Sequence, residues 1–260
     1  MPGGELLAWW DEPAAGADNM AADEVLAAEA ARQDRPLVRF YAWSETTFSL
    51  GGFQPIAAAE AAADIALLPV VRRPSGGGGI VHGSDLTYAV AVPRQHPWGQ
   101  TPQVLYDVFH EALAAVLAER GIAAALHPGR ADRASDELRL FCFDRRARGD
   151  LVVPGPTPAG HKILGSAQRR LQAAVLQHGS LLLERPRRVG PAAAHPGLRE
   201  LCPAACELEP RDLATAWLDR LATTTATAAT WAAAGFVPAH GPAIAASAGR
   251  FRDPTWLRRR

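Results

Sequence analysis

Apolar residues recur as adjacent pairs four apart through "TPQVLYDVFHEALAAVLAERG": Val104 and Leu105, Val108 and Phe109, Ala112 and Leu113, Val116 and Leu117. This spacing keeps one face of a 3.6-residue turn apolar and predicts a helix. Pro102 suits its first turn, where a missing N–H costs nothing, and Gly121 suits its stop. "NMAADEVLAAEAARQ" predicts an earlier helix with Asp18 or Asn19 as its cap. "IAAAEAAADIA" predicts another, and "PRDLATAWLDRLA" one that opens on a proline.

Elsewhere the pattern shortens to β-branched and aromatic runs. "PLVRFYAWS", "TFSLGG", "LLPVVRR", "IVHG", "LTYAVAV" and "IAAAL" predict strands. "LRLFCF", "DLVV", "HKILGSAQRR" and "AVLQHGSLLLE" predict successive strands of one sheet, with "PGPTPAG" as a turn-forming loop before the third. Pro128 to Glu137 is polar and loop-like, residues near 185–210 are Pro-rich and irregular, and a helical segment lies C-terminal to them. Strands and helices alternate early and strands cluster late. The expectation is a single α/β domain over 1–260, a mixed β-sheet with packed helices (α+β).

Composition narrows the function. Of 260 residues 48% are hydrophobic and 21% charged, enough for a real core, and the formal net charge is zero. A neutral chain has no global pull towards nucleic acid or a membrane surface. No apolar run approaches a membrane span, and the N-terminus lacks the basic and apolar regions of a secretory signal. Three cysteines without a signal predict reduced thiols and a cytoplasmic setting. Cys202 and Cys206 form C-x-x-x-C without a second ligand pair nearby, so no metal is expected.

The 27 Lys+Arg include one lysine, Lys162. It reads either as a solvated surface residue or as a compact cation placed where a planar guanidinium would not fit. Four glycines, Gly76 to Gly79, stand between two predicted strands, flanked by Arg72, Arg73 and His82. They read as a mobile loop, or as a loop that lets a ligand approach the main chain and closes over an apolar chain or an adenylate. Neither phosphate motif fits: no lysine follows the run, and it opens a strand rather than a helix. His82 taken alone reads as a satisfied structural histidine, and Cys142 in "LFCF" as a buried core thiol.

Three stretches together resemble one family. "VVRRPSGGGGIVHGSDLTYAV" is similar to the Arg-Arg, Gly-rich, His segment of the lipoate ligase and octanoyltransferase superfamily. "CF", "GDLVV", "GHKILGSAQRR" and "VLQHGS" resemble its second block, and "NMAADEVL" and "FRDPTWLRRR" match more loosely. The resemblance implies a biotin/lipoate protein ligase-like fold. The chain looks most like the LipM-type octanoyltransferases, which carry a cysteine and a phenylalanine shortly before the lysine strand. It implies that Cys142 carries the acyl group as a thioester and that Lys162 favours its thiolate. The substrate residues it implies are Arg72, Arg73, Ser75, Gly76, Gly77, Gly78, Gly79, His82, Gly165, Ser166, Ala167 and His178. "PGPTPAG" departs from the pattern by lengthening the connection to Lys162.

The implied reaction moves an octanoyl group from acyl carrier protein to a lysine of a lipoyl-accepting protein. The glycine cleavage H protein or a dehydrogenase lipoyl domain is the expected acceptor, with no cofactor. An ATP- and Mg²⁺-dependent lipoate–protein ligase, a lipoyl amidotransferase and a non-catalytic acyl-binding member remain open as alternatives.

Overall fold

The computed structural model describes residues 5–129, 140–156 and 159–259. Most of the polar loop expected over 128–137 lies outside the described residues. So do Leu138 and Arg139 of the expected "LRLFCF" strand, Thr157 and Pro158 of "PGPTPAG", and Arg260 of the tail.

The described strands are β1 (Leu6–Trp10), β2 (Leu37–Tyr41), β3 (Thr47–Leu50), β4 (Val70–Arg72), β5 (Ile80–His82), β6 (Asp85–Pro93), β7 (Ala125–Leu126), β8 (Leu151–Val153), β9 (His161–Arg170), β10 (Ala174–Leu182) and β11 (Ala229–Trp231). Eight form a mixed sheet in the order β11-β1-β2-β6-β10-β9-β8-β7, parallel where β1 meets β11 and β2 and antiparallel elsewhere. A second sheet, β4-β3-β5, holds the glycine run between its outer strands. Sequence reasoning anticipated one sheet, and the short strands around the glycines build a separate one.

Four long helices cover the large sheet: α1 (Gly16–Gln33), α2 (Pro102–Ala118), α3 (Pro210–Thr225) and α4 (Gly241–Arg252). Leu86, Tyr88, Val90 and Val92 of β6 point to the face under α2 and α3, while Ala89 and Ala91 point to the face under α1 and α4. This is the period-two pleat with both faces covered, so β6 is buried throughout. Among the described residues, no helix is long and apolar enough to cross a membrane.

Candidate active site

Cys142 does not lie in a strand. The expected "LRLFCF" strand is corrected at its described end: Cys142–Asp144 forms a 3₁₀ turn. The reason is a long-range pairing. Gly79 N donates to Leu140 O at 2.7 Å, and Cys142 N donates to Gly79 O at 2.7 Å, so the cysteine backbone is clamped along the glycine run. Gly78 makes this approach possible. A Cβ there would stand 2.9 Å from both Cα and N of Cys142, closer than carbon packs. Gly77 has φ +91, a conformation that disfavours any side chain.

Lys162 is buried, and it reaches Cys142 from β9. Its Nζ lies 3.4 Å from Cys142 Sγ, 3.5 Å from Cys142 O and 2.8 Å from Asp150 Oδ2. Three N–H donors thus meet three acceptors, as a lysine ammonium requires. Burial opposes the charge on Lys162, but Cys142 and Asp150 outweigh it and hold its pKa above the ordinary lysine value. The lysine stem passes directly over Gly165, where a Cβ would collide with Lys162 Cε. The β8–β9 ladder is irregular opposite Leu151 and Val152, just past Asp150. Bulges of this kind re-aim side chains beside sites.

Asp150 is buried and tied from three sides. Beside Lys162, it accepts from Tyr106 OH at 2.7 Å and from Ala147 N at 2.7 Å. Behind it, His110 donates from Nδ1 to Gly149 O and accepts at Nε2 from Ser166 Oγ, each at 2.7 Å. Burial pushes the His110 pKa down to about 4, so the ring is neutral at physiological pH. An unfolded histidine titrates near 6.5. Between these values the unfolded chain binds a proton that the folded chain refuses, so stability falls as pH drops from about 6.5 to about 4, by up to about 3 kcal/mol. His82, also lowered by burial, acts in the same direction. Urea midpoints should therefore fall over this window, and His110→Asn should flatten the slope. A midpoint independent of pH in the parent protein would contradict the assignment.

Cys142 opens into a pocket whose lining includes Arg73, Gly77, His82, Gly165, Ser166, Ala167 and His178 from the predicted set. Met20, Trp43 and Ile80 give it apolar walls. The remaining predicted residues stand elsewhere. Ser75 is buried against His178 Nε2, Gly76 lies against Phe53, and Gly79 packs on Phe48.

Arg72 is turned away from the pocket, contrary to the sequence expectation. Its guanidinium donates to the carbonyls of Gly51 and Gln54 and to Leu257 O, pinning the C-terminal segment. Successive side chains leave opposite sides of an extended backbone, so Arg72 and Arg73 diverge. Arg73 instead holds the loop, donating to Gly76 O at 3.1 Å, Gly78 O at 2.8 Å and Ser49 O at 2.7 Å.

The two histidines each join a buried serine to a buried aspartate. His178 lies between Ser75 Oγ (2.5 Å) and Asp23 Oδ2 (2.8 Å), and Asp23 in turn pairs with Arg39 at 2.8 Å. His82 lies between Ser49 Oγ (2.7 Å) and Asp85 Oδ2 (2.8 Å) and stacks on Trp43 with centroids 3.9 Å apart. Sequence reasoning missed Asp23, Tyr106, His110 and Asp150. Asp23 and Asp150 sit inside the quoted stretches "NMAADEVL" and "GDLVV", but no local feature separates them from surface acids.

Known proteins resemble this chain in sequence and in fold. A family model described as the lipoyl protein ligase A/B catalytic domain matches residues 15–187. The octanoyltransferase LipM of Bacillus subtilis (strain 168) is 36% identical over 179 residues, covering 66% of this chain and 63% of that protein. LipM of Moorella thermoacetica is 37% identical over 174 residues, covering 64% and 60%. The matches therefore span less than two thirds of these relatives' length. In three dimensions, a lipoate-protein ligase A bound with ATP aligns with a TM-score of 0.67 over 98% of each chain at 17% identity, a likeness of fold.

Proposed function

The chain belongs to the lipoyl protein ligase A/B catalytic-domain family, and from that premise we propose that it is a protein N-octanoyltransferase of lipoate biosynthesis. The Cys142 thiolate attacks the thioester carbonyl of octanoyl-acyl carrier protein. A carbon–sulfur bond forms to Cys142, and the carrier's sulfur leaves. A lysine amine of the acceptor then takes the octanoyl group as an amide. Glycine cleavage H protein or a dehydrogenase lipoyl domain is the acceptor in this reading. Splitting one transfer into two steps is covalent catalysis. The three free thiols support a cytoplasmic setting.

The observation that carries the reading is the Lys162 ammonium 3.4 Å from Cys142 Sγ. A neighbouring cation favours the reactive thiolate, and it can steady the oxyanion as the acyl group moves. The matching octanoyltransferases support the same chemistry. No nucleotide or metal enters this scheme, because the donor is already a thioester.

Incubation with octanoyl-acyl carrier protein, without ATP or Mg²⁺, should add one octanoyl mass to the intact protein, and hydroxylamine should remove it. An adduct or product that forms only with free octanoate or lipoate, ATP and Mg²⁺ would make the protein a ligase instead.

A further inference from the structure

Resting on the octanoyltransferase reading, the geometry points to His178 as the proton acceptor for the second step, the attack of the acceptor lysine on octanoyl-Cys142. That step has a requirement the cysteine–lysine pair does not meet while Cys142 is acylated. A lysine reaches the site as an ammonium and sheds one proton to solvent before it can attack. Its nitrogen then bonds to the thioester carbon, the carbon–sulfur bond breaks, and the electron pair goes to Cys142 Sγ beside Lys162. The nitrogen must lose a second proton before that bond breaks, while Sγ still carries the acyl group and cannot accept it. Lys162 is already a cation, held so by Asp150 at 2.8 Å, and cannot take it.

Among the described residues, the other titratable groups lining the pocket are Tyr41, Arg73, His82 and His178. Arg73 is a cation. Tyr41 OH is spent as a donor to Asp23 at 3.0 Å. His82 is sealed: its Nε2 meets Ser49 Oγ, which accepts from Arg73 at 2.7 Å, and one ring face is covered by Trp43.

His178 differs. Asp23 accepts from Nδ1, and this fixes the tautomer with a lone pair on Nε2. The partner of that lone pair is the Ser75 hydroxyl, which among the described residues has no second hydrogen bond to hold it there. Ser75 directly precedes the glycine run, and in this proposal its hydroxyl rotates off Nε2 to admit the amine. Asp23 is a positioning residue, itself steadied by Arg39 at 2.8 Å and Tyr41. The proton accepted at Nε2 returns to solvent after the amide leaves. A positioned general base contributes about a hundredfold or more.

The two half-reactions separate this inference from the reading beneath it. His178→Gln and His178→Asn are loaded with octanoyl-acyl carrier protein, and the octanoyl-enzyme is then discharged either by a lipoyl-domain acceptor or by hydroxylamine. Hydroxylamine arrives unprotonated at neutral pH and needs little help from a base. Discharge to the acceptor should slow by about a hundredfold or more, while loading and hydroxylamine discharge change far less. The octanoyl-enzyme should accumulate by intact mass. Equal discharge to the acceptor in parent and variants would overturn the role of His178. So would a parallel loss of loading and both discharges, which would make His178 structural. Failure of the parent protein to load would instead sink the octanoyltransferase reading.

Discussion

Cys142→Ala should form no octanoyl adduct and should transfer octanoyl groups at least about a thousandfold more slowly, because it removes the covalent intermediate itself. Beyond the contact of Sγ with Lys162, the structure gives this variant little else to disturb. Cys142 is held by its backbone, through Gly79, and alanine keeps those hydrogen bonds. Cys202→Ala and Cys206→Ala should keep the adduct, since neither thiol lines the pocket. Intact mass of all three variants after incubation with octanoyl-acyl carrier protein decides the matter. An adduct retained in Cys142→Ala would assign the acyl group to another nucleophile.

The second large effect belongs to the ion pair behind the thiol. Lys162→Ala should slow transfer by about a hundredfold or more, since the thiolate and the developing oxyanion lose their nearest cation. Iodoacetamide should alkylate Cys142 more slowly at neutral pH for the same reason. The variant also strands Asp150, a buried carboxylate, at a cost of about 3–5 kcal/mol. The double variant Lys162→Met/Asp150→Asn separates the two effects: it should recover much of the stability and none of the rate. Lys162→Arg should keep the charge but regain little activity. The lysine stem fits closely over Gly165, and a planar fork fills a different space. Unchanged alkylation in Lys162→Ala would show that the lysine does not act on this thiol.

The solitary lysine shows how far a sequence can be read and where it stops. Its rarity raised the question of why it is there, but only its neighbours answer it. Asp150, Tyr106 and His110 lie on other elements, and a buried acid looks like a surface acid until the chain folds around it. Local periodicity did better with the elements themselves. Helix α2 starts at Pro102 as expected, and β9 occupies the whole of "HKILGSAQRR".

Elements set by distant partners were harder to see. Neither Asp18 nor Asn19 is the expected cap of α1: the cap is Ala15 and both lie inside the helix, where Asn19 donates to Ala14 O and Ala42 O. The helix expected over "IAAAEAAADIA" breaks into a helical turn at Ile56–Glu60 and a 3₁₀ turn at Ala63–Ile65. Strand β11 went unpredicted, because three residues become a strand only by pairing with β1. The Cys142 turn and the divergence of Arg72 from Arg73 have the same origin: the first needs the glycine run, and the second needs an anchor at Leu257.

That pairing of β1 with β11 also sets an order of assembly. On the ribosome, β1 can find β2 within a few dozen residues, but its other edge stays open until Trp231 has been made. From the synthesis of β2 to that of β11 the nascent chain carries an unpaired strand edge, with Leu6 and Ala8 lacking their final cover. Such an edge is a template for pairing with a second copy. The yield of folded protein should therefore be sensitive to how soon β11 follows β1 out of the exit tunnel, and to chaperones that shield β1 meanwhile.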